Sequence, residues 1–479
     1  MKPTTLILRA LLLSGLTVSS YGCKDFVNLT PQDIIPVSGF YKTEADLQAA
    51  LTGTYGSMRN VYNGYFQFTE LPSDNTRSIN SSEVTYGPFD KLTWLVNNNN
   101  ISGAWNQHYT VIAGANVTLG HADDVSYANP VNKTQLVGQA KFLRALMYFN
   151  LVRFFGDVPL VLTELKSQAE ALDLVRTPAA QVYAQIEKDL ADAEASLPLS
   201  YTGANVGRAT SGAAKALLGK VYLQEKKWPE AEAKLAEVVA LTQYQLLPDV
   251  NNVFGVGKDN NAEIIFACQY FSSGNGEGNS FAYNFAPANA NVTTVVAGST
   301  NLGTKDLNDA FEAGDQRKAA FLVASGTGNA TDYYAKKFVY NVLAANEGDN
   351  DWPVLRLADV VLMYAEALNN NGKTALAIPQ INRVRTRAGL AAKPLTLTTA
   401  DTQLAIEQER RVELCFEGHR WHDLIRWGKA TSTMLAFKTK YATLDAANGT
   451  MAPSVTKELF PIPQVEVLLN SKLTQNPGY

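Results

Sequence analysis

Residues 210–241 of the chain are TSGAAKALLGKVYLQEKKWPEAEAKLAEVVAL. Apolar residues recur in both halves of this stretch at steps of three or four: Ala213, Leu217 and Val221, then Ala231, Leu235 and Val238. This spacing places each set on one face of an α-helix. The basic turn Lys226-Lys227-Trp228-Pro229 separates the halves, and proline is favoured in the first turn of a helix. The stretch therefore predicts a helical hairpin of about the length of a tetratricopeptide (TPR) repeat, which is roughly 34 residues.

Helical periodicity recurs along much of the chain. It begins at Glu44 and returns in residues 136–155, 178–197, 357–384 with a turn at Gly372, and 402–417. Glycine or proline follows several of these segments, as at Gly156 and Pro198, and both residues commonly end helices. We therefore predict a mostly α protein, built from TPR-like helical hairpins that are separated by long irregular loops.

The composition indicates a folded chain with little net charge. Of the 479 residues, 46% are hydrophobic, which is enough for a large core. Lys and Arg number 41 against 45 Asp and Glu, so the chain lacks the basic excess with which proteins bind nucleic acid. Only 18% of the residues are charged, below the usual fraction of about a quarter. A surface rich in Asn, Gly, Thr and aromatic residues suits neutral polar ligands.

Two stretches without helical periodicity, residues 74–100 and 251–352, are rich in aromatic residues, Asn and Gly. Loops of this length in a compact protein are usually functional or disordered, and the aromatic residues argue against disorder. We therefore predict that these loops form a ligand-binding face. Aromatic rings stack on sugar rings, and amides and charged groups pair with hydroxyls. The candidate ligand-binding residues are Asp74, Asn75, Arg77, Tyr86, Trp94, Asn97, Asn98, Tyr270, Tyr283 and Trp352.

Each candidate also has a structural interpretation. A single aromatic residue in such a loop more often packs the loop against the protein than it contacts a ligand. Asp74 and Asn75 are equally suited to capping the loop that follows them. The candidates therefore indicate ligand binding as a group, and no single one of them indicates it alone.

The N-terminus has the features of a secretion signal. Lys2 and Arg9 precede a short apolar run, residues 10–18, which is too short to span a bilayer. The sequence Ser20-Tyr21-Gly22-Cys23 then resembles a bacterial lipobox. We predict that residues 1–22 are a signal peptide that is removed and that Cys23 carries lipid; secretion with a free Cys23 is the alternative. We expect Cys268 and Cys415 to be buried free thiols, with a disulfide between them as the alternative.

Glutamates 409, 413 and 417 are four residues apart and share one helix face. They could serve acid–base chemistry or hold a metal, but four arginines lie in the same segment: Arg410, Arg411, Arg420 and Arg426. We therefore predict a structural ion-pair network, including a helix-stabilising pair between Glu407 and Arg411. His419 and His422, with Asp423 beside them, might suggest a metal site, but the two histidines lack a third ligand at an informative spacing. No glycine-rich phosphate loop is present in the sequence. We predict no metal, no nucleotide or other cofactor, and no catalytic residues.

Residues 409–428, ERRVELCFEGHRWHDLIRWG, strongly resemble the signature segment of the SusD/RagB family of Bacteroidetes outer-membrane lipoproteins. Six further segments resemble the family's landmarks and follow the same order: residues 23–26, 71–75, 142–145, 155–160, 382–385 and 475–479. The sequence departs from the family pattern at Ser20 and at His422, where an aromatic residue is commoner. The resemblance covers nearly all of the chain after Cys23.

The resemblance implies a SusD-like fold and a surface-exposed, lipid-anchored protein of the outer membrane. It implies a binding protein rather than an enzyme, one that captures oligo- or polysaccharide and lies as a lid on a SusC-like TonB-dependent transporter. In this family the TPR-like helices face the transporter and loops on the other side carry the ligand site. No ligand residue belongs to a shared motif, so none is transferred by name.

The resemblance also implies one SusD-like domain, residues 23–479, with an N-terminal region of about 26–225 and a C-terminal region of about 262–479. Three other functions remain open. Related lids serve peptide transporters, so the ligand could be a peptide. A surface glycoside hydrolase and a TPR scaffold that binds only proteins are the remaining alternatives.

Overall fold

The computed structural model describes residues 41–78, 84–288, 296–324, 333–339, 344–441 and 450–479. The predicted signal peptide and Cys23 lie outside these residues. The α-helices are α1 (Glu44–Asn63), α2 (Phe66–Thr69), α3 (Gly87–Asp90), α4 (Asn99–His121), α5 (Pro130–Phe155), α6 (Gln168–Leu172), α7 (Ala179–Ser196), α8 (Ser211–Gln224) and α9 (Trp228–Val239). They continue with α10 (Phe281–Phe285), α11 (Lys305–Ala310), α12 (Gln316–Phe321), α13 (Leu357–Asn370), α14 (Thr374–Arg387), α15 (Thr399–Glu413), α16 (Arg420–Arg426), α17 (Ala430–Tyr441) and α18 (Gln464–Leu469).

The predicted helical hairpin is confirmed as α8 and α9. Thr210 caps α8, its hydroxyl accepting a hydrogen bond from the amide of Ala213 at 3.1 Å. Gly219 lets the two helices approach closely, because a Cβ atom there would lie 2.6 Å from the side chain of Leu235. The long helices pack in one series, α1 on α4, then α5, α7, α8, α9, α13, α14 and α15. This series forms the TPR-like helical array that the periodicity predicted.

Short strands connect the segments between the helices. Strands β1 (Thr76–Arg77), β3 (Leu302–Gly303), β4 (Leu322–Ala324) and β5 (Tyr333–Ala335) form an antiparallel sheet in the order β1-β3-β5-β4. Strands β2 (Ile264–Cys268) and β6 (Trp352–Arg356) form a second antiparallel pair, with Cys268 opposite Trp352. The first sheet joins residues that are more than 200 positions apart in sequence, so it fastens the two irregular stretches to each other.

Much of the second irregular stretch is hydrophobic core rather than open loop. The ring of Phe338 stacks on Trp352 with a centroid distance of 5.2 Å, and Phe281 lies 5.1 Å from the same indole. Phe285 is fully buried against Phe338. The prediction that residues 251–352 form an open binding face is therefore wrong for this aromatic group. Within the described ranges, no helix is long and apolar enough to cross a membrane.

Candidate functional site

Trp94 and Trp352 were the strongest sequence candidates for stacking on a ligand, and both are buried. Trp94 has no exposed surface, and its indole nitrogen donates a hydrogen bond to the Tyr479 hydroxyl at 2.6 Å. Trp352 is 1% exposed and packs among Phe281 and Phe338. A ring without an exposed face cannot stack on a sugar, so the prediction of ligand contact is wrong for both tryptophans.

Tyr270 and Tyr283 also serve packing. Tyr270 is buried; its hydroxyl donates to the backbone oxygen of Arg59 at 2.8 Å, and its ring meets Phe281 edge-on. Tyr283 is half-buried and lies so close to Gly298 that a Cβ atom at Gly298 would be 2.7 Å from its ring. The structure therefore contradicts ligand contact by Tyr270 and places Tyr283 against its own loop.

Asp74 and Asn75 have the structural role that the sequence left open. Asp74 forms ion pairs with Arg411 and Arg420, both at 2.8 Å. Burial alone would raise the pKa of the Asp74 carboxyl, but these two guanidinium groups outweigh burial and hold its pKa well below the usual range. Asn75 accepts a hydrogen bond from Arg411 at 2.8 Å. Both residues are buried and attach the first irregular stretch to α15 and α16, so neither faces a ligand.

The remaining candidates lie at the surface near the start of α4 or in β1. Arg77 is in β1, opposite Leu302 of β3. Asn97 is exposed, and the Asn98 side chain caps α4 by accepting hydrogen bonds from the amides of Asn100 and Ile101. Tyr86 is half-buried and stacks on Phe66 with a centroid distance of 6.1 Å. Of the ten candidates, only Tyr86 lines the pocket described next.

A polar pocket of about 260 Å³ lies where α1, α2, α4 and α10 meet. Seven amide side chains line it: Asn60, Asn63, Gln67, Asn99, Asn100, Gln107 and Asn284. Aromatic rings form the rest of its wall and floor: Tyr65, Phe68, Tyr86 and Phe154. We call this the amide pocket. Convergent polar groups over an aromatic base are the usual features of a site for a small polar ligand.

Hydrogen bonds between pocket residues hold part of the amide set in place. Asn100 donates to Gln67 Oε1 at 2.6 Å, which leaves the Gln67 nitrogen as a donor. Asn63 Oδ1 accepts hydrogen bonds from the backbone nitrogen of Ser280 at 2.9 Å and from its hydroxyl at 2.8 Å. The Asn63 nitrogen is thereby also available to donate. These contacts orient the amides before any ligand arrives, which lowers the entropy cost of binding.

Three amides of the pocket have no partner within the described part of the chain: the side chains of Asn60, Asn99 and Gln107. Asn60 is exposed, and Gln107 is partly exposed on α4. Each amide offers both a donor and an acceptor, as each sugar hydroxyl does. The pocket can therefore match a hydroxyl-rich ligand in both hydrogen-bonding directions.

His108 forms part of the pocket floor. Its Nδ1 donates to the Ala104 carbonyl at 2.7 Å, and burial lowers the pKa of the imidazole to about 4, with a smaller contribution from Arg153. The ring is therefore neutral at pH 7. Its Nε2 is buried and has no hydrogen-bond partner among the described residues. The floor is thus uncharged, and it is built mainly of rings.

Most of the amide pocket was not predicted from the sequence. Asn97 and Asn98 were candidates, but the next two residues, Asn99 and Asn100, line the pocket. The sequence carries a signal for the pocket in two pairs of amides at helical spacing. Asn60 and Asn63 share a face of α1, and Asn100 and Gln107 share a face of α4.

The glutamates at 409, 413 and 417 form the predicted structural network. Glu413 is fully buried and pairs with Arg317 at 3.0 Å, with Arg356 at 2.7 Å and with Arg387. Burial opposes ionisation of Glu413, but the surrounding guanidinium groups hold its pKa well below the ordinary value. The predicted Glu407–Arg411 pair is wrong: Glu407 pairs with Lys429, and Arg411 pairs with Asp74 and Asp306.

The histidines near this network are engaged by neighbouring side chains. His419 lies 3.2 Å from Lys220 Nζ, and His422 stacks on Phe154. Asp423 pairs with Arg410 and Arg426. Gly418 has φ of +80°, and a Cβ atom there would lie 2.8 Å from Tyr65, so the position requires glycine. The side chains of this segment therefore serve packing and ion pairing within the protein.

The prediction of two buried free thiols, Cys268 and Cys415, is confirmed.

A second cavity, about 690 Å³, runs along the opposite side of α4 and is mainly apolar. Its lining includes Trp105, Tyr109, Leu172 and Leu469. Two of its polar groups are used within the protein: the Tyr109 hydroxyl donates to the Pro159 carbonyl, and Asn116 donates to the Val161 carbonyl. This groove is larger than the amide pocket, but its surface is mainly apolar and therefore less suited to a hydroxyl-rich ligand.

Comparison with known proteins identifies the family. The model described as "SusD family" matches residues 320–479, and the model described as "Starch-binding associating with outer membrane" matches residues 26–223. The solved structure of a laminarin binding SusD-like protein is 30% identical, with a TM-score of 0.79, over 92% of this chain and 100% of that chain. The chain belongs to the SusD family. The predicted family and the mostly α, SusD-like fold are thus confirmed.

Two curated relatives match this SusD-family protein along almost its full length. SusD-like protein P25 of Formosa agariphila is 28% identical over 97% of this chain and 98% of its own. The starch-binding protein SusD of Bacteroides thetaiotaomicron is 25% identical over 91% of this chain and 88% of its own. The similarity to both relatives therefore extends across the helical array and the irregular stretches alike.

Proposed function

We propose that this SusD-family protein captures oligo- or polysaccharide in the amide pocket and delivers it to a SusC-like TonB-dependent transporter. It acts at the cell surface, anchored in the outer membrane by lipid on Cys23. The observation that carries the proposal is the convergence of seven amide side chains on one pocket that aromatic rings also line. The names of its relatives, which bind laminarin and starch, support glycan as the ligand.

Sugar recognition explains why the pocket combines these two kinds of side chain. Ring hydroxyls need partners that both donate and accept. The amides of Asn99 and Gln107, which have no partner in the part of the chain that the structure describes, do both. The C–H face of a sugar ring packs well on an aromatic ring, and half-buried Tyr86 lies in the wall. Peptide capture is the less favoured alternative for the amide pocket, because peptides commonly bind an exposed sheet edge or an apolar groove and this pocket is lined by amides.

Binding without cleavage fits the same pocket. Glycoside hydrolysis requires two carboxyl groups that flank the scissile bond. The residues that line the amide pocket in the described part of the chain include no Asp or Glu. The prediction that the protein is a binding protein and not an enzyme therefore stays part of the proposal.

The test of glycan capture uses affinity gel electrophoresis of residues 24–479 through gels that contain laminarin, starch or other polysaccharides. We expect the double substitution Asn99→Ala with Gln107→Ala to weaken retention about tenfold, since each lost hydrogen bond contributes roughly 0.5–1.5 kcal/mol. Neither side-chain amide has a partner among the described residues, so the melting temperature should not change. Asn106→Ala, one position away and facing the apolar groove, is the matched control. Unchanged retention of the double variant would contradict the assignment of the pocket.

The anchor and the transporter are tested in the native cell. We expect the protein in the outer-membrane fraction, accessible to external protease, and a TonB-dependent barrel to co-purify with it in mild detergent. Cys23→Ala should move the protein out of the membrane fraction, because the lipid chains supply the membrane affinity. Retention of the Cys23→Ala protein in the membrane fraction would contradict the lipid anchor. Purification of the protein without any barrel protein would contradict the transporter partnership.

A further inference from the structure

We infer that the amide pocket selects uncharged glycans and rejects glycans that carry carboxylate or sulfate groups, an inference that rests on glycan capture in this pocket. Neither the family nor the pocket's aromatic floor requires this selectivity. It follows from the uncharged polar groups that line the pocket and from the contacts that already engage Arg59 and Arg153 beside it.

The lining supplies hydrogen bonds without charge. Its polar side chains in the described part of the chain are amides, hydroxyls and the imidazole of His108, with no Lys, Arg, Asp or Glu among them. The imidazole is neutral because it is buried and donates its Nδ1 proton to a backbone carbonyl. An anionic group that leaves water needs a cation or several charged hydrogen bonds to offset the cost of desolvation. This lining provides neither.

The arginines on neighbouring residues are already occupied. Arg59, next to Asn60 in α1, pairs with Glu277 at 2.9 Å and donates to the Gln269 carbonyl. Arg153 lies behind Tyr65, where it donates to the Tyr65 hydroxyl at 3.0 Å and to Asn150 at 2.7 Å. Moving either guanidinium into the pocket would break these contacts. The net charge of −4 on the whole chain also disfavours the approach of an anionic polymer.

One substitution should change this selectivity. Gln107→Lys places an ammonium group on the pocket side of α4, where the Gln107 side chain has no partner within the described ranges. Asn106→Lys adds the same charge one residue away, on the exposed side of α4 that faces the apolar groove. The two variants have equal net charge, so a difference between them measures the pocket and not the overall charge of the protein.

The experiment measures retention in gels that contain laminarin or starch as uncharged glycans, and alginate or polygalacturonate as anionic glycans. We expect retention of the wild type by an uncharged glycan only. Gln107→Lys should gain about tenfold in retention by the anionic glycans, the size of one charged hydrogen bond, and lose this gain in high salt. Asn106→Lys should not gain it.

The outcomes separate this inference from glycan capture itself. Retention of the wild type by an anionic glycan, lost in the Asn99→Ala, Gln107→Ala double variant, would overturn charge selection while glycan capture stands. An equal gain in Asn106→Lys and Gln107→Lys would also overturn it, because the response would then come from net charge. Absence of retention by glycans of either class would contradict the proposed function and, with it, this inference.

Discussion

Replacing Arg356 by methionine should lower the free energy of unfolding by about 3–5 kcal/mol. The Arg356 side chain is 1% exposed and pairs with three carboxylates: Glu263 at 2.9 Å, Glu413 at 2.7 Å and Glu417 at 2.5 Å. Methionine replaces most of the volume but leaves these carboxylates with fewer cations in a buried site. The loss is large because a buried charge without its partner retains the cost of desolvation.

Arg383→Met is the matched control for this prediction. Arg383 lies in the neighbouring helix α14 but is exposed, and it donates a hydrogen bond to Gln380 at 3.0 Å. Surface contacts of this kind contribute little, so we expect a change within about 0.5 kcal/mol. Urea unfolding at pH 7 measures both variants. Equal stability of Arg356→Met and Arg383→Met would show that Arg317, Arg387 and Lys337 neutralise the cluster without Arg356.

Replacing Trp352 by alanine should cost about 3–5 kcal/mol, as truncation of a buried aromatic residue does. Its indole contacts Phe338, Phe281 and Tyr65, with ring centroids 5.2, 5.1 and 6.2 Å away. Because Trp352 does not line the amide pocket, the variant that remains folded should bind glycan with wild-type affinity. The sequence-based expectation differs, because it places this ring in contact with the ligand.

Trp228→Ala provides the comparison for tryptophan truncation. Trp228 is partly exposed at the start of α9, so its removal should cost clearly less. Thermal unfolding and glycan retention, measured on the same preparations, separate stability from binding. A Trp352→Ala protein that melts like the wild type but no longer binds glycan would contradict the buried position of the ring and restore the original ligand-contact hypothesis.

The helices could be predicted from sequence because their signals are local. The hairpin at residues 210–241 has apolar residues at helical spacing, a turn and a favourable proline, all within one segment. The ion-pair network could be predicted in kind, because glutamates and arginines share one short segment. The individual ion pairs could not be predicted. Arg356 lies 57 residues from Glu413 in sequence. Instead of pairing with each other, Glu407 and Arg411 pair with residues of other elements.

The tertiary structure alone decided which aromatic residues are buried and where the pocket lies. Trp94 and Trp352 follow no helical period, so nothing in their neighbours distinguishes a ring that closes a core from one that faces a ligand. The pocket joins amides of α1, α2 and α4 with Ser280 and Asn284, which are more than 170 residues further along the chain. Local spacing determines helices because their hydrogen bonds connect near neighbours. Burial depends on distant segments, and only the folded chain brings these together.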